Sequence, residues 1–165
     1  MSDVGSARAS ELARELDLRP HPEGGHYREL FRSAARVQPE DGREPRSALT
    51  TIDFLLSRGE CSAWHRVASD EAWHLLEGPA LRLWLLAPDL SALESVRLAP
   101  VSKATRPRHV VPAHWWQAAE PEGDVAYVGA TVGPGFDFAD FAFGRDDAGL
   151  VAAIDRFAPE LRRLL

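Results

Sequence analysis

The chain has 165 residues, 45% of them apolar, enough for one domain with its own core and too few for two. Its 25 acidic side chains outnumber 19 basic ones for a net charge of −6, and no basic tail or stripe is present, which argues against nucleic acid as a partner. The apolar run Leu83-Trp84-Leu85-Leu86-Ala87 falls far short of the roughly 20 residues that cross a bilayer, so no membrane partner is expected. The first residues lack the apolar stretch of a secretory signal, and the single Cys61 cannot close a bridge within the chain; together these predict a cytoplasmic protein.

Leu12 and Leu16 stand four apart behind Ser10, a residue type that caps helices, and predict a short helix over residues 9–17. Arg19-Pro20-His21-Pro22-Glu23-Gly24-Gly25 then forbids helix and predicts a tight turn, in which the two glycines permit close backbone approach and positive φ. From there to Phe143, short runs rich in Val, Leu, Thr and aromatic residues predict strands near 26–32, 48–56, 61–67, 72–77, 81–86, 94–98, 108–111, 115–119, 125–132 and 138–143. Strands in such succession without a long helix between them pair antiparallel, as in a sandwich or closed barrel. Residues 37–46 are polar and rich in turn formers, and are expected to be a mobile loop. Beyond Asp146 the period is helical again, with Leu150, Ile154 and Phe157 on one face and Pro159 interrupting before Leu161 and Leu164. The expected organisation is a single domain over residues 1–165, a barrel of about 24–145 between a helix at 9–17 and another at 146–164.

Chemistry concentrates between Gly59 and Gly78. Alternate residues of a strand share a face, so His65 points with Val67, and Glu71 points with Trp73 and Leu75. If these strands form a hairpin, His65 and Glu71 converge on its concave side. His74 faces the other way, toward packing or a dimer contact. Trp115 and Gln117 share a face, with Trp116 outside. Arg28 either clamps an anionic group or pairs with a surface carboxylate. His21, held between prolines, serves either the scaffold or a substrate contact. Glu23 pairs with Glu71 if the first strand crosses the cavity mouth. No phosphate loop, no nucleophile elbow and no Cys-x-x-Cys occurs.

Gly59, His65, Glu71 and Gly78 fall in register with the first motif of the cupin superfamily, with Val67 where that motif has its second His. The chain resembles most closely the subfamily called DUF985 or Cupin_5, and is similar to a yeast cupin of unknown function. The resemblance rests on four segments: His21 to Glu29; Trp64 to Arg66 with Ser69 to His74; Val110 to Ala113 with Trp116 to Ala119; and Pro134 to Phe141. It implies an all-β cupin (jelly-roll) barrel and a homodimer. In the second motif His114 stands where relatives carry glycine, a change expected to alter that turn, and Gln117 stands where they carry the last His. Two metal ligands of the family are thus replaced. Either His65, Glu71 and the Gln117 carbonyl hold a divalent metal (Fe, Ni, Mn or Zn), or they form a hydrogen-bonded polar patch lining a ligand cavity.

The resemblance further implies a cavity that binds a small polar molecule such as a sugar nucleotide or an organic acid. Cupins of similar shape include sugar epimerases and isomerases. In that case His65 is the base, Tyr27 or Tyr127 the acid, Glu71 a further catalytic group, and Arg28, Trp73, Trp115, Gln117 and Tyr127 bind substrate. A metal-dependent oxygenase or isomerase, and a binding protein without turnover, are the alternatives.

Overall fold

The prolines and glycines of residues 20–25 divide a helix from a long run of strands. The structure, a computed structural model, describes the backbone of residues 3–165 and the side chains of residues 7–165. Helix α1 (Asp3–Glu15) starts earlier than its apolar spacing suggests, so Ser10 lies inside it and not at its N-terminus. Thirteen strands follow: β1 (Arg19–Pro20), β2 (His26–Arg32), β3 (Arg36–Val37), β4 (Arg46–Ser47), β5 (Thr50–Ser57), β6 (Ser62–Val67), β7 (Asp70–Glu77), β8 (Leu81–Leu86), β9 (Leu93–Leu98), β10 (Arg108–Val111), β11 (Trp116–Pro121), β12 (Val125–Gly133) and β13 (Phe141–Phe143). The ten strands expected from the period are all present, and β1, β3 and β4 are pairs of residues too short to carry a periodic signal. The segment expected at 138–143 is only half strand: Asp137 caps a 3₁₀ turn at Phe138–Asp140 by accepting from the Ala139 N–H, and pairing begins at Phe141. Helix α2 (Ala148–Phe157) stops two residues before Pro159, and a 3₁₀ segment, Pro159–Leu164, follows the intervening Ala158.

The strands make two antiparallel sheets, ordered β1-β2-β5-β12-β7-β10 and β13-β6-β11-β8-β9, with β3 and β4 as a separate ladder. This is a jelly-roll sandwich. Phe54, Leu56, Trp73, Leu81, Leu83, Leu85 and Val128 fill the space between the sheets, each nearly inaccessible and each stabilising by roughly 1.5–3 kcal/mol or more through loss of apolar contact with water. Ala9 and Leu12 of α1 pack on Leu55 and Val125, outside the larger sheet. Leu150 and Ile154 of α2 pack on Trp64 and Trp116, outside the smaller one. Among the described residues no helix is long and apolar enough to cross a membrane.

The hairpin expected of β6 and β7 does not form. Strand β6 pairs with β11 and β13 in the smaller sheet, while β7 pairs with β12 and β10 in the larger. Ala68 and Ser69 carry the chain from one sheet to the other, so His65 and Glu71 meet across the sandwich and not along a shared ladder. The loop expected to be mobile is tied down: Arg46 grips Asp140 with two hydrogen bonds of 2.9 Å, and Arg43 adds one of 2.8 Å.

Candidate functional site

The turn before β2 is the first thing that builds the site. Gly24 and Gly25 have φ of 109° and 70°, and a Cβ on either would lie 2.0 Å from the Cys61 carbonyl or 2.5 Å from that of Leu55. Only glycine allows this approach. The Ala63 N–H donates to the Glu23 carbonyl at 2.8 Å, clamping the turn to β6. His21 and Glu23 are thereby inserted between the sheets, at the floor of a cavity of about 110 Å³.

Two buried carboxyl groups and two imidazoles share that floor. Glu23 is 8% exposed and His65 2%, and their Oε2 and Nε2 atoms are 3.2 Å apart. His65 Nδ1 lies 2.7 Å from the Ala63 carbonyl, which can only accept, so that nitrogen carries a proton. Ser62 Oγ donates to Glu23 Oε1 at 2.8 Å. Burial pushes Glu23 up to about 8, against which the Ser62 bond pulls weakly, and burial holds His65 below the usual imidazole range despite the nearby Glu71. Both shifts favour a neutral pair, with Glu23 Oε2–H donating to His65 Nε2, because neither ion has solvent to support it.

Glu71 enters from the larger sheet. It is 7% exposed, its Oε2 accepts from Gln117 Nε2 at 2.6 Å, and burial pushes it up to about 7 while His65 and Gln117 oppose the shift. Gln117 Oε1 accepts from the Trp73 indole at 2.9 Å. His21 Nδ1 accepts from the Glu23 N–H at 3.1 Å, and burial lowers it to about 4, so it too is neutral.

A β-bulge shapes the mouth. In β2, Tyr27 and Glu29 face inward, and an irregularity between Glu29 and Phe31 turns Arg32 inward as well. Arg32 then grips Glu29 with bonds of 2.9 and 2.8 Å and reaches the Phe136 carbonyl at 3.0 Å. Phe136, Phe138 and Phe141 form the facing wall, their rings edge to face at 4.9 to 6.2 Å, and Asp140 anchors this segment to Arg43 and Arg46.

Of the residues singled out by sequence, His65, Glu71 and Tyr27 line the cavity. Gln117 and Trp73 stand behind Glu71 and orient it without lining the space. Arg28 points away, by the alternation of β2, and bonds the Leu16 carbonyl at 3.3 Å. Tyr127 also faces outward, packs with the α1 cluster and donates to Asp53 at 2.8 Å. Trp115 precedes β11 in a turn and packs on the core, while Trp116 lies outside under α2, as its parity requires. Arg28, Tyr127 and Trp115 thus do not line this cavity, whereas Glu29, Arg32 and the phenylalanine wall do. The stretch Phe136 to Phe141 carried the missing signal, three aromatic residues within six positions directly after the turn formers Gly133-Pro134-Gly135. His114 has φ of 69°, a left-handed conformation that favours glycine. Burial raises the Cys61 thiol, which favours its protonated form.

The expected set of His65, Glu71 and the Gln117 carbonyl does not fit a metal. Val67 lines the cavity with a side chain that has no lone pair, and Gln117 turns its carbonyl to the Trp73 indole and its amide N–H, which cannot ligate, to Glu71. Among the described residues no three His, Cys, Asp or Glu side chains are grouped to hold an ion.

Two facing antiparallel sheets with an acid and imidazole pocket between them define a cupin. The sequence matches the family Cupin_5, described as Cupin superfamily (DUF985), over residues 10–144, and the chain belongs to that family. It is similar to a hypothetical protein from Leishmania major (28% identity, TM-score 0.80, covering 94% of this chain and 96% of that one). It is similar also to a protein from Shewanella oneidensis (29% identity, TM-score 0.82, the same coverage of 94% and 96%). A cupin 2 conserved barrel domain protein from Rhodopseudomonas palustris shares the fold at 14% identity and TM-score 0.56, over 89% of this chain and 84% of that one. No curated protein matches the chain.

Proposed function

We propose that this cupin is an enzyme of the epimerase or isomerase type, which moves a proton on a small carbonyl compound held in the cavity. The observation that carries the reading is the buried Glu23–His65 contact of 3.2 Å opening onto that space. A neutral carboxylic acid beside a neutral imidazole can both take up and give a proton near neutral pH, which a lone carboxylate or an imidazolium cannot. His65 enters from the smaller sheet, and Tyr27 and Glu71 from the larger. A ligand between them is flanked on two sides: Glu23 Oε1 takes the proton next to the carbonyl as the Oε2 proton passes to His65 Nε2, leaving an imidazolium, and the Tyr27 hydroxyl returns a proton on the other face. Glu71, fixed by Gln117, orients the ligand. The cavity of about 110 Å³ suits a head of few non-hydrogen atoms, so a nucleotide portion would lie outside the mouth.

The test is solvent deuterium incorporation, followed by NMR, into a panel of small hydroxy and amino carbonyl compounds incubated with the protein. Exchange at the carbon next to the carbonyl, lost in Glu23→Gln and in Tyr27→Phe, is the expected result. Ligand binding without exchange in any compound would leave a binding protein without turnover.

The same reading includes a second copy of the chain as partner. Phe31, Leu76 and Val110 stand 52 to 55% exposed on the outer face of the larger sheet, where a second sheet could cover them.

A further inference from the structure

We propose that the cavity takes a small organic cation, a primary or secondary ammonium group seated against Glu71 with its carbon chain among Phe136, Phe138 and Phe141. The inference rests on the reading that this cavity is the ligand site, and it names the class of ligand.

The first support is a census of charge. The turn before β2 presents His21 and Glu23, β2 presents Tyr27, Glu29 and Arg32, β6 presents His65, and β7 presents Glu71. Strands β5 and β12 add Thr50, Ile52, Ala130 and Val132, which carry no charge. Arg32 is the one permanent cation among these, and Glu29 and the Phe136 carbonyl already occupy it. Both imidazoles are neutral. An anionic ligand would thus meet two carboxyl groups, Glu23 and Glu71, with no free cation to hold it.

The second support is the Glu71 carboxyl itself. Gln117 takes Oε2, and no described residue donates to Oε1, although the side chain is more than nine-tenths buried at the cavity wall. An acceptor that opens on the cavity and has no donor from the protein can take one from the ligand. An ammonium supplies both the donor and the opposite charge.

The third is the wall. The three phenylalanine rings stand within 4.9 to 6.2 Å of one another around the opening, and ring faces attract a cation while burying its alkyl chain. Carboxylate on one side and aromatic rings on the other are the two recognised ways to hold an ammonium, and here they face one space. Because Glu71 must ionise to pair, binding releases a proton below about pH 7 and strengthens as pH rises through that value.

The experiment titrates isopentylammonium, isopentanol and isovalerate, three molecules sharing one branched carbon skeleton, into the full chain by calorimetry at pH 6 and pH 8. Isopentylammonium should bind at least about tenfold more tightly than isopentanol at pH 8, isovalerate should show no binding, and ammonium affinity should fall about tenfold at pH 6 with proton release visible as a dependence on buffer ionisation heat. Glu71→Gln should abolish the preference for the ammonium over the alcohol. Phe138→Ala alters a ring that is 56% exposed, so the fold is safe, and should weaken isopentylammonium about threefold to tenfold. Isovalerate or isopentanol binding as tightly as isopentylammonium at pH 8 would overturn the cation and leave the cavity as a ligand site. Failure of all three to bind, with no change in the NMR signals of the residues lining the cavity, would overturn both.

Discussion

Replacing Glu23 by Gln tests the protonation state on which the site depends. The carboxyl has an ordinary value of 4.5 when exposed and is pushed up to about 8 in the fold. A group whose folded pKa is raised leaves stability intact below the unfolded value and lowers it as pH climbs toward the folded value, since the unfolded chain gives up its proton first. Across pH 5 to 8 the slope approaches about 1.4 kcal/mol per pH unit, roughly 3 to 4 kcal/mol in all. Glutamine keeps the shape and both contacts: its oxygen accepts from Ser62, and its amide donates to His65 Nε2 as the protonated acid does. Urea denaturation followed by tryptophan fluorescence should therefore find wild type and Glu23→Gln nearly equal at pH 5, and the variant more stable by about 3 kcal/mol at pH 8. Glu71, pushed up to about 7 chiefly by burial, tilts both curves, and the part of its rise that comes from Glu23 is lost in the variant, which adds to the variant's gain at pH 8. If Glu23 and His65 instead formed an ion pair, the substitution would strand a buried imidazolium and lose about 3 kcal/mol or more throughout that range. That outcome refutes the neutral pair.

Three further results are expected. His114→Gly relieves a left-handed backbone at φ 69°, and after the entropy of a freer unfolded chain is subtracted it should gain about 0.5–1 kcal/mol, a rise in Tm of roughly 1–4 °C by calorimetry. Tyr127→Phe removes the hydroxyl from Asp53 on the outer face of the larger sheet, so stability should drop by about 1–2 kcal/mol while ligand titrations stay unchanged. Sedimentation velocity should show a dimer that Leu76→Glu and Val110→Glu convert to monomer without loss of fold; a wild-type monomer at tens of micromolar would dispose of the second copy.

Much of the architecture was legible without coordinates because period depends on local residues alone. Alternation along β7 and β11 correctly set Glu71, Trp73 and Gln117 on the inward side and Trp116 on the outward side. The glycines at 24 and 25 marked a close approach that the backbone makes. Residue parity also held the answer for Arg28, which must oppose Tyr27, yet a chemical role for its guanidinium could not be judged until its surroundings were known. Tertiary structure decided the rest, for one physical reason: which strand pairs with which is a matter of long-range burial and hydrogen bonding that neighbours in sequence do not encode. That is why β6 and β7, joined by two residues, separate into different sheets, why Glu23 reaches His65 from a turn forty residues upstream, and why a one-residue bulge brings Arg32 onto Glu29. A histidine and a carboxyl could be picked out by their spacing; the neutral acid beside the imidazole, and the ring of phenylalanines facing them, exist only once the two sheets have closed.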